Sequence, residues 1–437
     1  MKVVKFGGSS LANAEQFKKV GDIIRADKTR RFVVPSAPGK RFPGDTKVTD
    51  LLYKMEAEAE SGEDFSETFN EIKSRYAEII EGLELSDFSL EEQFDEIEKR
   101  MKEDPDADYA ASRGEHLNGR IMAAYLGFTF VDPFEMIFFD EEGMLDDRRT
   151  MKAVEKRLSG EEYAVIPGFY GCSHDGKVKA FSRGGSDITG SIVAGACHAD
   201  VYENWTDVSG ILMADPRIVE NPAPISTITY AELQELAFMG ASVLHEDSIS
   251  PVKEKGIALN IRNTNRPQDP GTMIVEEVEE DGEQERFITG IAGRRNFTVL
   301  TIKKRPMNAN EALRQALDIL DRYHVAVEHI TLGLDSFALV ASTAALGDSV
   351  YDVIADMQKA IRPDDVNVKE GISLVATVGR KMTSRPGTSG RLFHALGKSG
   401  INIRTIAQGA DELSIIVGVE NADFEKAIKV LYERFAG

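Results

Sequence analysis

Lys5, Gly7 and Gly8 follow one another at the end of a short apolar run, Lys2 to Phe6, and that combination can handle an anion. Glycines leave backbone N–H groups unobstructed, and a helix opening directly after them turns its positive dipole end toward negative charge. An ammonium on the carboxyl end of the strand can reach the same anion and offset charge on a transferring phosphoryl group. Taken alone, Gly-Gly-Ser after a strand is also simply a turn. A second turn of this kind, Arg183-Gly184-Gly185-Ser186-Asp187, precedes the helical stretch Ile188 to His198. Arg183 offers a planar fork that fits a carboxylate through two hydrogen bonds, and Asp187 offers an anion that suits an ammonium. The pair matches the head of a free amino acid. The plainer alternative makes Asp187 an N-terminal helix residue and Arg183 its partner.

Other phosphate-binding signatures are missing. No GxxxxGK[ST] occurs, since Gly390 and Gly397-Lys398-Ser399 have two residues too many between the glycines, and no GxGxxG is present. Dinucleotide and protein-kinase readings therefore lose their main support. Cys172 and Cys197 cannot build a disulfide framework, and Cys172 with His174 gives too few ligands for zinc.

The elements that must hold these residues alternate. Lys2 to Phe6 reads as a buried strand, and Leu11, Phe17, Val20 and Ile24 mark the inner face of a following helix. Arg31 to Val34 is the next strand, ending in the turn-rich stretch Pro35 to Gly44, and Thr49 or Asp50 caps a helix beginning at Leu51. Further strands are expected near Phe128 to Val131, Tyr163 to Pro167 and Asp200 to Asn204. Strands alternating with helices imply an α/β fold with a mainly parallel sheet, here over residues 1–290. Between Glu56 and Asp108 the chain is strongly acidic with apolar residues at helical spacing, which reads as packed helices with a solvated face.

After the acidic turn Val275 to Glu285 the sequence repeats itself. Val299, Thr301 and Ile302 fall on Val375, Thr377 and Val378, and Val325, Val327, Ile330, Gly333 and Asp335 fall on Ile401, Ile403, Ile406, Gly409 and Asp411. Each copy reads strand, helix, strand, turn, strand and closing helix. Two small α/β sandwiches are expected, over 296–365 and 370–437.

Composition narrows the function from outside. With 52 basic and 73 acidic residues, a formal net charge of −21, the chain would repel a nucleic-acid backbone, so no nucleic-acid partner is expected. No apolar run long enough to span a membrane and no signal peptide are found, which points to the cytoplasm and no membrane partner.

KFGGSS at Lys5 to Ser10, SRGE at Ser112 to Glu115, FSRGGSD at Phe181 to Asp187 and WTDVSGILMADPR at Trp205 to Arg217 together resemble the aspartate kinases, in order and spacing over essentially the whole chain. The repeat resembles a tandem pair of ACT domains, ferredoxin-like βαββαβ modules that bind amino acids. The resemblance implies a three-layer αβα amino-acid kinase domain followed by two ACT domains. It implies transfer of the γ-phosphoryl of ATP to the β-carboxylate of L-aspartate, opening the lysine, threonine and methionine branch.

Residue by residue, the resemblance makes Lys5, Arg183 and Asp187 catalytic. Thr49 and Arg183 would hold the α-carboxylate, and Glu115 and Asp187 the α-ammonium. Gly7, Gly8 and Ser9, with Gly184, Gly185 and Ser186, would line the phosphates and substrate, while Thr206, Asp207, Val208 and Arg217 would hold the nucleotide. Magnesium would be held mainly by ATP, so no protein metal ligand is expected. A carboxylate is already ionised at neutral pH and needs no general base.

The effector would be lysine, with threonine as the alternative, bound by Ala326, Val327 and Glu328 with Asn402, Ile403 and Gln408. A homodimer through the ACT domains, or a dimer of such dimers, would follow. The sequence ends at Gly437, so a monofunctional enzyme is expected, without a fused homoserine dehydrogenase. Some members carry Tyr at the position of Leu212 and Lys at that of Ser242, and Pro35 and Pro38 are unusual for the family. The rival readings are a glutamate, acetylglutamate or nucleoside monophosphate kinase on the same fold, or a catalytically inactive amino-acid sensor.

Overall fold

The apolar run at the start of the chain is strand β1 (Lys2–Phe6), with Val3, Val4 and Phe6 wholly buried, as befits a parallel strand covered on both faces. It belongs to the computed structural model of the chain. The structure describes residues 1–436 apart from 183, 242, 243, 245–247, 279–287, 306, 307, 381, 383, 384 and 410. Two compact units are present. The first comprises Met1–Ile211, Pro224–Tyr230 and Val243–Glu279, and the second Leu212–Ala223, Ala231–Ser242 and Glu280–Gly437.

In the first unit α1 (Ala14–Arg25) leads from β1 to β2 (Arg30–Pro35). Asn13 caps α1 by accepting the Gln16 N–H at 3.0 Å. The acidic stretch forms α2 (Val48–Glu60), α3 (Ser66–Gly82), α4 (Glu91–Glu103) and α5 (Ala107–Leu126). Their apolar positions close one core with α1 around Phe17, Leu52, Phe69, Tyr76 and Phe94, which leaves the carboxylates outward. Helix α2 begins at Val48, earlier than expected, because Val48 is fully buried in that core. Lys47 occupies the cap position, so Thr49 and Asp50 lie in the first turn and are not caps.

The chain continues through β3 (Thr129–Phe130), α6 (Asp147–Leu158), β4 (Ala164–Val165), the hairpin β5 (Tyr170–Cys172) and β6 (Val178–Ala180), and α7 (Gly185–Ala196). Then come β7 (Val201–Thr206), β8 (Thr227–Thr229), α8 (Tyr230–Phe238), α9 (Ser250–Lys253), β9 (Ala258–Asn263) and β10 (Thr272–Val275). Eight strands form one sheet in the order β3-β4-β2-β1-β7-β9-β10-β8. Every pairing is parallel except β9 with β10. The carboxyl ends of β1, β2 and β7 therefore open on the same side, where such sheets place their ligands.

The second unit is built on a six-stranded antiparallel sheet. Its elements are β11 (Gly290–Lys303), α10 (Ala309–Arg322), β12 (Val327–Leu332), β13 (Ser336–Ser342), α11 (Thr343–Leu346), α12 (Val350–Ile361), β14 (Asp365–Val378), α13 (Thr388–Lys398), β15 (Thr405–Gln408), β16 (Ser414–Glu420) and α14 (Phe424–Phe435). The strand order is β12-β13-β11-β14-β16-β15.

Strands β11 and β14 each serve both copies of the repeat. Phe297 to Lys303 pairs with β13 and the start of β14, while Gly290 to Arg294 pairs with Leu374 to Val378. The register shifts between Arg294 and Phe297, next to Asn296 with φ of 66°. The strand that closes the second sandwich thus comes from ahead of the first, and the first is inserted within it. Separate cores lie under the two halves, one around Leu320, Leu339 and Met357, the other around Val375, Leu396 and Leu431.

Two segments within 1–290 fold with this unit. Ala214 and Val219 join its core beside Ile291, Val375 and Phe424. The Ile291 N–H donates to Met213 O at 2.7 Å, and the Ala223 N–H to Tyr432 Oη at 2.8 Å. On α8, fully buried Glu232 accepts from the Thr289 hydroxyl and from the Arg380 backbone N–H at 3.1 Å.

Candidate active site

Lys5 on β1 lies directly beside Asn204 on β7, and both point toward the first turn of α7. There Lys5 Nζ meets Asp187 Oδ1 at 2.6 Å, and Asn204 Nδ2 donates to the same oxygen at 2.8 Å. Tyr202 Oη donates to the Asp187 backbone carbonyl at 3.1 Å. Both side-chain bonds fall on Oδ1, so Asp187 Oδ2 remains for a further donor. Gly184 caps α7 at φ of 59°, a left-handed conformation that favours glycine, and turns the chain so that Asp187 sits at the positive end of the helix dipole.

The first glycine turn makes its contribution differently from what the sequence suggests. The Gly7 N–H donates to Trp205 O at 3.0 Å and is unavailable to a phosphate. A Cβ at Gly7 would make only ordinary contacts, 3.6 Å from Trp205 O and 3.7 Å from Lys5 Nζ, so the tighter constraint falls on Gly8. Gly8 meets Gly39 backbone to backbone, with the Gly39 N–H on Gly8 O at 2.9 Å. A Cβ on Gly39 would stand 2.6 Å from the Gly8 carbonyl carbon, so neither loop tolerates a side chain there. Arg75, almost fully buried on α3, fastens the second loop by donating to Gly39 O at 2.9 Å and Thr46 O at 3.0 Å.

Glu115 projects from α5 into the same region. Ser186 Oγ lies 3.5 Å from its Oε1, while Oε2 is buried without a partner. Burial pushes its carboxyl up to about 7, and the Ala37 N–H, Ser186 and Lys5 only partly oppose that rise. A buried acceptor in this condition is costly unless a donor arrives, and an ammonium satisfies both its charge and its hydrogen bond. Thr49 stands close by, its Cγ2 lying 3.7 Å from where a Cβ of Gly114 would be.

Behind Glu115, His116 turns to the other side of α5. Arg120 Nε donates to His116 Nε2 at 2.9 Å, so the proton of the neutral ring sits on Nδ1, which faces Tyr170 Oη at 2.9 Å. Tyr170 in turn donates to Asp132 Oδ1 at 2.9 Å. Burial lowers His116 to about 4, so the contact with Asp132 is part of a hydrogen-bonded chain and not a charge pair at neutral pH. Sequence reasoning missed both His116 and Asn204. Their signal was a polar residue inside an otherwise buried helix and strand.

The amino acid kinase family model matches residues 1–263, and an ACT domain model matches residues 375–435. Aspartokinase 3 of Bacillus subtilis is 35% identical over all of this chain and 98% of its own length. The chain belongs to the aspartokinases of the amino acid kinase family. It is an ATP-dependent kinase. The crystal structure of the Clostridium acetobutylicum aspartate kinase superposes with a TM-score of 0.94 at 47% identity, each chain covered completely. Two structures of E. coli aspartokinase III, one with aspartate and ADP and one with lysine and aspartate, are 26% identical, with TM-scores of 0.74 and 0.75 over the whole of both chains.

The remaining residues expected of an aspartokinase site fall into three groups. Thr206, Asp207 and Val208 leave the carboxyl end of β7 toward solvent, held by the Thr264 N–H on Thr206 O at 2.9 Å and by Asn263 Nδ2 on Asp207 O at 3.2 Å. Arg217 belongs to the second unit, 88% exposed and paired with Asp215. Arg183 and Ser242 lie outside the described residues.

The expected effector residues are not gathered within one chain. Val327 and Glu328 lie on β12 at one edge of the six-stranded sheet, while Gln408 ends β15 at the other. Ala326 precedes the first of these strands, and Asn402 and Ile403 precede the second. Glu328 is already paired with Arg294 at 3.1 Å.

Proposed function

We propose that the chain transfers the γ-phosphoryl of ATP to the β-carboxylate of L-aspartate, forming 4-phospho-L-aspartate in the cytoplasm. The observation that carries this reading is the contact of Lys5 with Asp187 at 2.6 Å, beside Ser186, which the buried Glu115 reaches with one of its oxygens left unpaired. Glu115 Oε2 and Asp187 Oδ2 suit the α-ammonium, and Thr49 with Arg183 the α-carboxylate. The β-carboxylate is then the group left free to attack, with Lys5 offsetting charge on the phosphoryl group in flight. Catalysis of this kind is positioning and neutralisation, and it needs no covalent enzyme intermediate. Magnesium is proposed to be carried on the phosphates of ATP.

Regulation is proposed to run through lysine, threonine being the second candidate, with Glu328 taking the cationic end. Strands β12 and β15 are open edges, and Leu332, Leu334 and Ile406 stand more than half exposed along or beside them. Pairing two copies edge to edge would cover these residues and bring the Glu328 half of one effector site to another chain. The test is an assay with ATP, L-aspartate and hydroxylamine, run in parallel with glutamate and N-acetylglutamate. Aspartyl hydroxamate formed from aspartate alone supports the reading, and equal turnover of glutamate rejects it. Adding lysine and threonine separately identifies the effector.

A further inference from the structure

Asn204 stands on a strand almost entirely shut away from solvent. Its neighbours on β7, Tyr202 and Trp205, are nearly inaccessible, and Asn204 itself is 4% exposed. Its amide orientation is fixed by chemistry, because Asp187 can only accept, so the nitrogen must face the carboxylate and the oxygen must face away. That leaves Asn204 Oδ1 buried with no hydrogen-bond partner. A strand that needed only packing would place an aliphatic side chain here and avoid the cost of an unmet acceptor. The residue is therefore held for what its nitrogen does.

We propose that Asn204 is a positioning residue for phosphoryl transfer, fixing Asp187 Oδ1 so that Lys5 and the substrate ammonium are served by different oxygens of one carboxylate. With Nδ2 at 2.8 Å and Lys5 Nζ at 2.6 Å on Oδ1, rotation of the carboxylate would break two bonds at once. Oδ2 is thereby kept for the substrate ammonium. Without the amide, the carboxylate is free to turn both oxygens onto the Lys5 ammonium, which withdraws the lysine from the phosphates and removes an acceptor from the amino acid.

This inference rests on the assignment of Lys5 and Asp187 to the kinase site, and its test separates the two. Asn204→Leu, close in shape, removes the donor and the unmet acceptor together. Its melting temperature is expected to stay near that of the parent enzyme, while kcat falls by about tenfold to a hundredfold, the worth of one hydrogen bond to a charged group. The KM for aspartate rises alongside.

Asn204→Asp provides a second arm that does not depend on the leucine variant folding. Two neighbouring carboxylates share a proton, so its pH–rate profile gains an ionisation that the parent lacks. An unchanged kcat in Asn204→Leu, or an unchanged pH profile in Asn204→Asp, overturns the proposal. Aspartyl hydroxamate formation by the parent enzyme and its loss in Lys5→Met report separately on the underlying site assignment.

Discussion

Glu115 and Ser186 come from helices on different parts of the first unit, and their side chains meet at 3.5 Å with one carboxylate oxygen left unpaired. The contact is long, and it leaves Glu115 poorly stabilised as an anion. That places a group with a carboxyl near 7 where an amino-acid ammonium is proposed to bind.

The first prediction concerns aspartate affinity. Only the ionised carboxylate attracts the ammonium, so KM for aspartate should fall as pH rises through about 7 and level off above it. Glu115→Gln should raise KM and flatten that dependence. The linked stability runs the other way. The folded-state value lies above the unfolded one near 4.5, so stability is fully present below 4.5 and is lost as pH rises through about 7, by ~3 kcal/mol at most. Melting curves of parent and Glu115→Gln at pH 5 and pH 8 should therefore show the variant relatively more stable at the higher pH.

His116 gives the opposite sign. Its folded-state value, about 4, lies below the ordinary 6.5, so the unfolded chain takes up the proton first on acidification. Its contribution is present above pH 6.5 and disappears as pH falls to about 4. The melting temperature of the parent should drop more steeply over that interval than that of His116→Gln, and parallel curves would show that the ring titrates normally.

Much of this site was legible in the sequence because glycine turns after apolar runs are local signals. Lys5, Gly8, Gly184 and Asp187 could be marked from their immediate neighbours. Asn204 could not, since its meaning depends on β7 lying beside β1, a pairing between residues distant in the chain. The same limit hid the exchange of strands in the second unit. Gly290 to Arg294 lies outside the two sandwiches expected over 296–365 and 370–437, and only its pairing with Leu374 to Val378 reveals that it closes the second. The early start of α2 was missed for a related reason, because burial of Val48 outweighed the capping preference of Thr49 and Asp50.

A third prediction addresses regulation. If Glu328 holds the cationic end of lysine, Glu328→Ala should raise the lysine concentration for half-inhibition by about tenfold or more, as expected for loss of a charge-assisted hydrogen bond. Activity without effector should stay close to that of the parent. Inhibition curves that superimpose would remove Glu328 from the site and leave it as the partner of Arg294 alone.

The most direct test of the account is the rate of aspartyl hydroxamate formation by Lys5→Met at saturating ATP and aspartate. Methionine keeps most of the packing volume and removes the charge that Asp187 holds in place at 2.6 Å. The rate is expected to fall about a hundredfold to a thousandfold, in keeping with removal of one electrostatic stabiliser of a transition state, in a protein whose circular dichroism matches the parent. A folded variant that retained the parent rate within a few-fold would contradict it.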